Sequence, residues 1–183
     1  MRTILAGIAG GIAMFIWASI AHVATPLGAI GVSTLPNEGE TLLSLNNLVG
    51  ENGGLYLFPS PPKTAQQPQE TPAVGSAGLL VWRPHTVMSL SPSNLVTEFA
   101  TELAESLIAA ILLNWASVQG FASRVGFVTL IGGAAVITTN VSYWNWYGFP
   151  TNYTFAYGLI EITGYIVAGI VIALVLPRQS ARI

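Results

Sequence analysis

Long apolar runs separated by short polar links dominate the chain. A bilayer core about 30 Å thick needs about 20 mostly apolar residues per helix. Four stretches meet that length: 3–24, 95–118, 125–143 and 154–176. Pro26 lies just beyond the first and Pro177 ends the fourth. Before the second, Ser91 suits an N-cap and Pro92 a first helical position. Residues 119–124 join the second and third runs, and 144–153 the third and fourth. Links this short make neighbouring helices antiparallel. The pattern predicts an all-α integral membrane protein, an up-down four-helix transmembrane bundle forming a single membrane domain over 1–183.

One sizeable segment, 25–90, interrupts the pattern between the first two runs. Pro36 and Asn37 followed by Glu40 read as a helix start with an early acid. Leu42, Leu45, Leu48 and Val49 then share one face, as in a short amphipathic helix lying on a membrane surface. Residues 54–58 and 79–82 read as two short strands, a small β-hairpin. The Pro/Gln-rich stretch 59–78 between them suits a loose, flexible tip.

Basic residues set the expected orientation. Arg2, Arg124, Arg178 and Arg182 fall on one side of such a bundle, and Lys63 and Arg83 on the other. The positive-inside rule then places both termini in the cytoplasm and 25–90 outside, the arrangement of a multi-pass protein of a bacterial inner membrane. The first run also fits a secretory signal, with Ser19, Ile20 and Ala21 as a small-x-small cleavage site. It is, however, longer than the ~7–15 apolar residues usual in a signal.

Composition sharpens this picture. Hydrophobic residues make up 52% of the 183 and charged ones only 8%, against about 25% charged in a soluble domain. That excludes a disordered chain and a nucleic-acid binder with a basic face. Cysteine is absent, which removes disulfides and thiolate metal sites. The motifs of phosphate-binding loops, dinucleotide folds, zinc proteases and nucleophile elbows are all missing. No catalytic set emerges, and no cofactor is specified. In outline the chain is similar to claudin-like four-span proteins, but their paired loop cysteines are absent, so the likeness is one of topology alone.

Candidate chemistry rests on ionisable residues inside the runs. Glu98, Glu102 and Glu105 are spaced to share one face of the second helix. Counted from Pro92 they lie about 9, 15 and 20 Å along it. This puts Glu98 near headgroups and Glu105 near mid-bilayer. Glu161 lies in the outer part of the fourth run and His22 near the outer end of the first. An ionisable group in hydrocarbon costs at least about 2.5–3.5 kcal/mol. These groups must therefore face inward, find partners or be uncharged, and at least one Glu is expected to be neutral at neutral pH. No Lys or Arg falls within the four runs, so the expected partners are Asn94, Asn114, Asn140, Thr101, Thr129, Thr138, Thr139, Ser142, Thr163 and tyrosines. Three roles compete for His22, Glu98, Glu102, Glu105 and Glu161: proton or cation handling, a metal site on His22, Glu102 and Glu161, or a structural or partner-facing network. His85 reads as a surface residue.

Two features suit contact with lipid or partners. Tyr143, Trp144, Trp146, Tyr147 and Phe149 form an aromatic cluster where an interfacial belt belongs. Alternatively, they offer a surface for a lipid, quinone or pigment tail. Gly7 and Gly11 in the first run, and Gly164 in the fourth, belong to small-residue stripes that let helix backbones approach. They serve packing within the bundle, or docking of other membrane subunits or a second copy. The leading expectation is a non-catalytic accessory or scaffold subunit of a membrane assembly. The alternative is a proton- or metal-ion-handling protein, and the third reading is a quinone- or lipid-linked enzyme.

Overall fold

The computed structural model describes residues 1–60, 75–86 and 91–177. Lys63, Arg178, Arg182 and most of the Pro/Gln-rich stretch lie outside the described residues. The chain divides into two compact units. The larger holds 1–31, 90–145 and 149–183, and the smaller 32–89 and 146–148.

In the larger unit, α1 (Arg2–Ser19) continues through a π-helical turn at Ile20–Ala24. α3 covers Pro92–Trp115. α4 (Phe121–Val136) runs through a second π-helical turn, Ile137–Val141, into α5 (Ser142–Tyr147). α6 covers Thr151–Val175. Three of these helical stretches are long and apolar enough to cross a membrane: Arg2–Ala24, Phe121–Tyr147 and Thr151–Val175, with mean hydropathies of 2.1, 1.6 and 2.2. α3 has the length but carries three Glu, and it falls outside that set. Ser91 caps α3 as expected, its Oγ accepting from the Asn94 amide at 3.2 Å.

The link expected at 144–153 is much shorter. The aromatic run through Tyr147 is helical, so only Gly148, Phe149 and Pro150 separate α5 from α6. Gly148 takes a φ of +69°, which glycine allows at little cost. Arg124, expected in the preceding link, lies instead within α4.

Packing is organised around α1 and α6. α1 packs against both α3 and α6, and α4 packs against α6. The seam between α1 and α3 is set by glycine. A Cβ on Gly7 would lie 2.9 Å from the Leu107 Cα, and one on Gly11 2.8 Å from the Leu103 Cα. Phe15 meets Phe99 edge-on, with ring centroids 5.3 Å apart. Each four-residue step up α1 is thus a four-residue step down α3, so the two run antiparallel side by side. Ser106, Ala109, Ala110 and Leu113 are buried along this seam and the core behind it. On α6, Gly164 meets Met14 and Trp17 of α1, while Gly169 meets Val125 and Val128 of α4. Gly132 of α4 receives the Tyr165 ring.

Of the two roles expected for the small-residue stripes, packing within the bundle has contacts to support it: Gly7, Gly11 and Gly164 each face another helix of the same chain. Gly126 and Gly133 of α4, by contrast, have nothing within 4 Å of where a Cβ would sit.

The smaller unit contains the expected elements. α2 covers Glu38–Val49 and has no buried residue, and Leu42, Leu43 and Leu48 are all exposed. Strands β1 (Gly54–Phe58) and β2 (Gly78–Trp82) pair antiparallel, with Gly54 opposite Trp82 and Phe58 opposite Gly78. The Trp82 Nε1 donates to the Gly50 carbonyl at 2.9 Å and so anchors the hairpin to the end of α2. His85 is exposed, as expected, and pairs with Glu51 at 2.6 Å.

Candidate functional site

The seam register fixes how deep each acid of α3 lies. Extending it places Glu98, Glu102 and Glu105 level with Ile16, Ile12 and Ala9 of α1. Glu102 therefore sits at the mid-length of the Arg2–Ala24 stretch, and Glu105 lies beyond it. The count of about 15 Å from Pro92 also places Glu102, rather than Glu105, near the middle of a core about 30 Å thick.

Four of the five ionisable candidates converge. Glu98 and Glu102 from α3, Glu161 from α6 and His22 from the π-helical turn line one small cavity with Trp17 and Tyr157. Its volume is about 20 Å³, room for one water molecule. Glu98 and His22 are exposed at its outer side, Glu161 is half-buried, and Glu102 is only 9% exposed. Glu102 Oε2 is buried without a hydrogen-bond partner. One turn further along α3, the buried Ser106 Oγ is also unpartnered.

Local structure explains how these groups come together. The π-helical turn carries His22, whose Nδ1 lies 3.0 Å from the Ala18 carbonyl. Thr25 ends the turn, donating to the Ala21 carbonyl at 2.6 Å and accepting from the Leu27 amide. The following 3-10 turn, Pro26–Ala29, folds back so that Gly28 packs on His22. The Trp17 Nε1 donates to the Ile160 carbonyl at 2.9 Å, pinning α1 to α6 beside Glu161. Glu105 stands apart from the cavity, and its Oε2 accepts from the Tyr165 hydroxyl at 3.1 Å.

Four of the expected polar partners serve their own helices. Thr101, Thr129, Thr138 and Thr139 each donate to a carbonyl of the preceding turn. Asn140 has its Nδ2 buried without a partner. This back-bonding is what threonine does inside a helix. It leaves the carboxyls of the cavity without these hydroxyls.

The metal reading gains no support from this geometry. No group of three or more His, Asp or Glu side chains among the described residues is disposed to hold a metal ion.

Sequence reasoning missed the rings around the site. From His22 a row of aromatic side chains continues outward. Tyr157 meets His22 edge-on at 5.6 Å and stacks on Tyr153 at 5.3 Å. Tyr153 meets Phe149 at 5.5 Å, and Phe149 stacks on Tyr143 at 5.5 Å. The positions 149, 153 and 157 are four apart, a spacing that could have revealed the row. Of the other belt residues, Trp144, Trp146 and Tyr147 are exposed. Trp144 also borders an apolar groove of about 410 Å³ with Val136, Phe155, Gly158, Leu159 and Ile162. Its shape suits a hydrocarbon chain. The bordering Thr154 hydroxyl is spent on the Pro150 carbonyl, and Thr151 Oγ1 accepts from Trp144 Nε1.

Comparison of the chain with protein-family models, with curated proteins and with solved structures gives no match.

Proposed function

We propose that this is a four-span membrane protein, with both ends on the cytoplasmic side, that binds and releases a proton at Glu102 through a water-sized cavity open to the outer face. One observation carries the reading. A carboxyl nine-tenths buried, with an unpartnered oxygen, shares a cavity with His22, Glu98 and Glu161 and with no basic side chain except the histidine. A buried carboxylate without a compensating charge is costly, and a proton removes that cost. The exposed His22 and Glu98 supply groups that exchange protons with water, and the cavity has room for a bridging water. The buried Ala109, Ala110 and Leu113 place apolar side chains further along α3, on the side of Glu102 away from the exposed His22 and Glu98.

The α1–α3 seam supports the span count: α3 lies beside Arg2–Ala24 from Gly7 to Phe15, as a helix crossing with it would. Its Glu102 and Ser106 face inward, while Val96, Ile108 and Trp115 are exposed and suited to lipid. The same seam argues for retention of the first helix, because its loss would uncover Glu102.

Infrared difference spectroscopy on the chain in lipid, between acidic and alkaline buffer, tests the reading. Wild type should show a carboxyl band that titrates and that Glu102→Gln removes. An unchanged difference spectrum in Glu102→Gln would refute it.

A second reading, an accessory subunit of a membrane assembly, is favoured by the hairpin. All five residues of β1 are exposed, including Leu55, Tyr56, Leu57 and Phe58, and an isolated two-stranded sheet is marginal in water. Native purification with mass spectrometry tests it through a stoichiometric partner protein.

A further inference from the structure

At the opposite end of α3 and α6 lies a second cavity, of about 150 Å³, whose polar lining is Arg2, Thr3, Asn114, Ser117 and Arg124. No carboxylate among the described residues lines it. Arg124 is only 4% exposed. Its Nε donates to the Val118 carbonyl at 3.1 Å, and its two terminal nitrogens to the Leu176 and Pro177 carbonyls at 3.0 and 2.9 Å. These bonds use three of the five N–H groups of a guanidinium. The carbonyls at the end of α6 offset part of the charge through the helix dipole, which amounts to about half an elementary charge. Among the described residues no carboxylate pairs with Arg124, the one contact of that kind being His85 with Glu51. Arg2 adds a second guanidinium at the same cavity.

Buried charges in proteins are paired or bound to ions. Here the charge is cationic, the neighbouring side chains are neutral hydrogen-bonders, and the space equals that of about five waters at ~30 Å³ each. We infer that this cavity binds a phosphate-type oxyanion, held between Arg2 and Arg124. Guanidinium groups engage two oxygens of such an anion at once. Thr3, Ser117 and Asn114 are donors for the remaining oxygens. The chemistry is shared by free phosphate and by the phosphodiester headgroup of an anionic lipid. The inference is independent of the proton site, which lies at the other end of the helices.

The test uses the full chain in detergent, with inorganic phosphate and phosphatidylglycerol as separate probes and phosphatidylcholine as the zwitterionic control. Binding is read by native mass spectrometry and by thermal shift, in wild type and Arg2→Gln. Arg2 is exposed and makes no bond among the described residues, so Arg2→Gln should fold normally. Wild type should bind phosphatidylglycerol or phosphate in preference to the control, and Arg2→Gln should bind it about tenfold more weakly, the loss of one charge-assisted contact. Binding of lipid alone identifies a headgroup as the ligand, and binding of phosphate alone a free anion. If neither probe binds wild type more tightly than Arg2→Gln, the inference fails.

Discussion

Two buried ionisable side chains, Glu102 on α3 and Arg124 on α4, are treated in opposite ways by the same fold. Arg124 makes three bonds to carbonyls and ties the α3–α4 link to the end of α6. Glu102 keeps one oxygen without a hydrogen-bond partner among the described residues. The residues that line its cavity supply no donor to that oxygen. The difference teaches that burial by itself does not mark a site. Arg124 spends three of its N–H groups on carbonyls of the fold and keeps the rest for its own cavity, whereas Glu102 Oε2 has no hydrogen-bond partner among the described residues.

The sharpest way to break this contrast is to remove the structural member. Arg124→Ala leaves the carbonyls of Val118, Leu176 and Pro177 without their donor and separates the end of α6 from the α3–α4 link. Leaving a buried acceptor without its donor costs about 1–3 kcal/mol, and three acceptors lose theirs here, so this is the largest loss expected of these variants. Reversible unfolding in detergent measures it. A loss no larger than that of Glu102→Gln would abolish the distinction between the two residues.

The next effect belongs to the seam that positions Glu102. A Cβ on Gly11 would lie 2.8 Å from the Leu103 Cα and 3.2 Å from the Glu102 carbonyl oxygen, all backbone that cannot swing aside. Gly11→Ala should therefore push α3 off α1 at the cavity and cost about 1–3 kcal/mol. Gly133→Ala, where open space surrounds the position, should be neutral or slightly stabilising. Equal losses at the two glycines, measured by the same unfolding assay, would mean that the seam is not what holds Glu102 in place.

Much of this was legible in the chain, and what was not has physical causes. Apolar run length located α1, α3, α4 and α6, because helix formation in these segments follows hydrophobicity. The strands at 54–58 and near 79–82 were legible from their β-branched and aromatic residues between glycines. The spacing of Glu98, Glu102 and Glu105 predicts one shared face; Glu98 and Glu102 line the cavity, whereas Glu105 bonds to Tyr165 outside it. Three things escaped. Arg124 looked like a link residue, because nothing local signals that carbonyls 52 and 53 positions away will surround it. Residues 144–147 looked like part of a link, because an interfacial belt and a short helix have the same composition. The offset between α1 and α3 had no local signal either, since it is fixed by the close approach of Gly7 and Gly11 to residues of another helix.

The smallest effect tests whether Glu105 belongs with Glu102 or with Arg124. Its Oε2 already accepts a bond, from Tyr165, and it lies outside the cavity. On the contrast drawn above it is a structural acid, and the Tyr165 hydroxyl is its partner. Tyr165→Phe keeps the ring that fills the space over Gly132 and removes only that bond. Interhelical side-chain bonds in membrane proteins are worth on average about 0.6 kcal/mol and at most about 1.7 kcal/mol. A loss in that range, with the titrating carboxyl band of Glu102 unchanged, would place Glu105 on the structural side. If Tyr165→Phe instead shifts that band, the two acids share their protons across one turn of α3, and the site extends past the mid-length of α1.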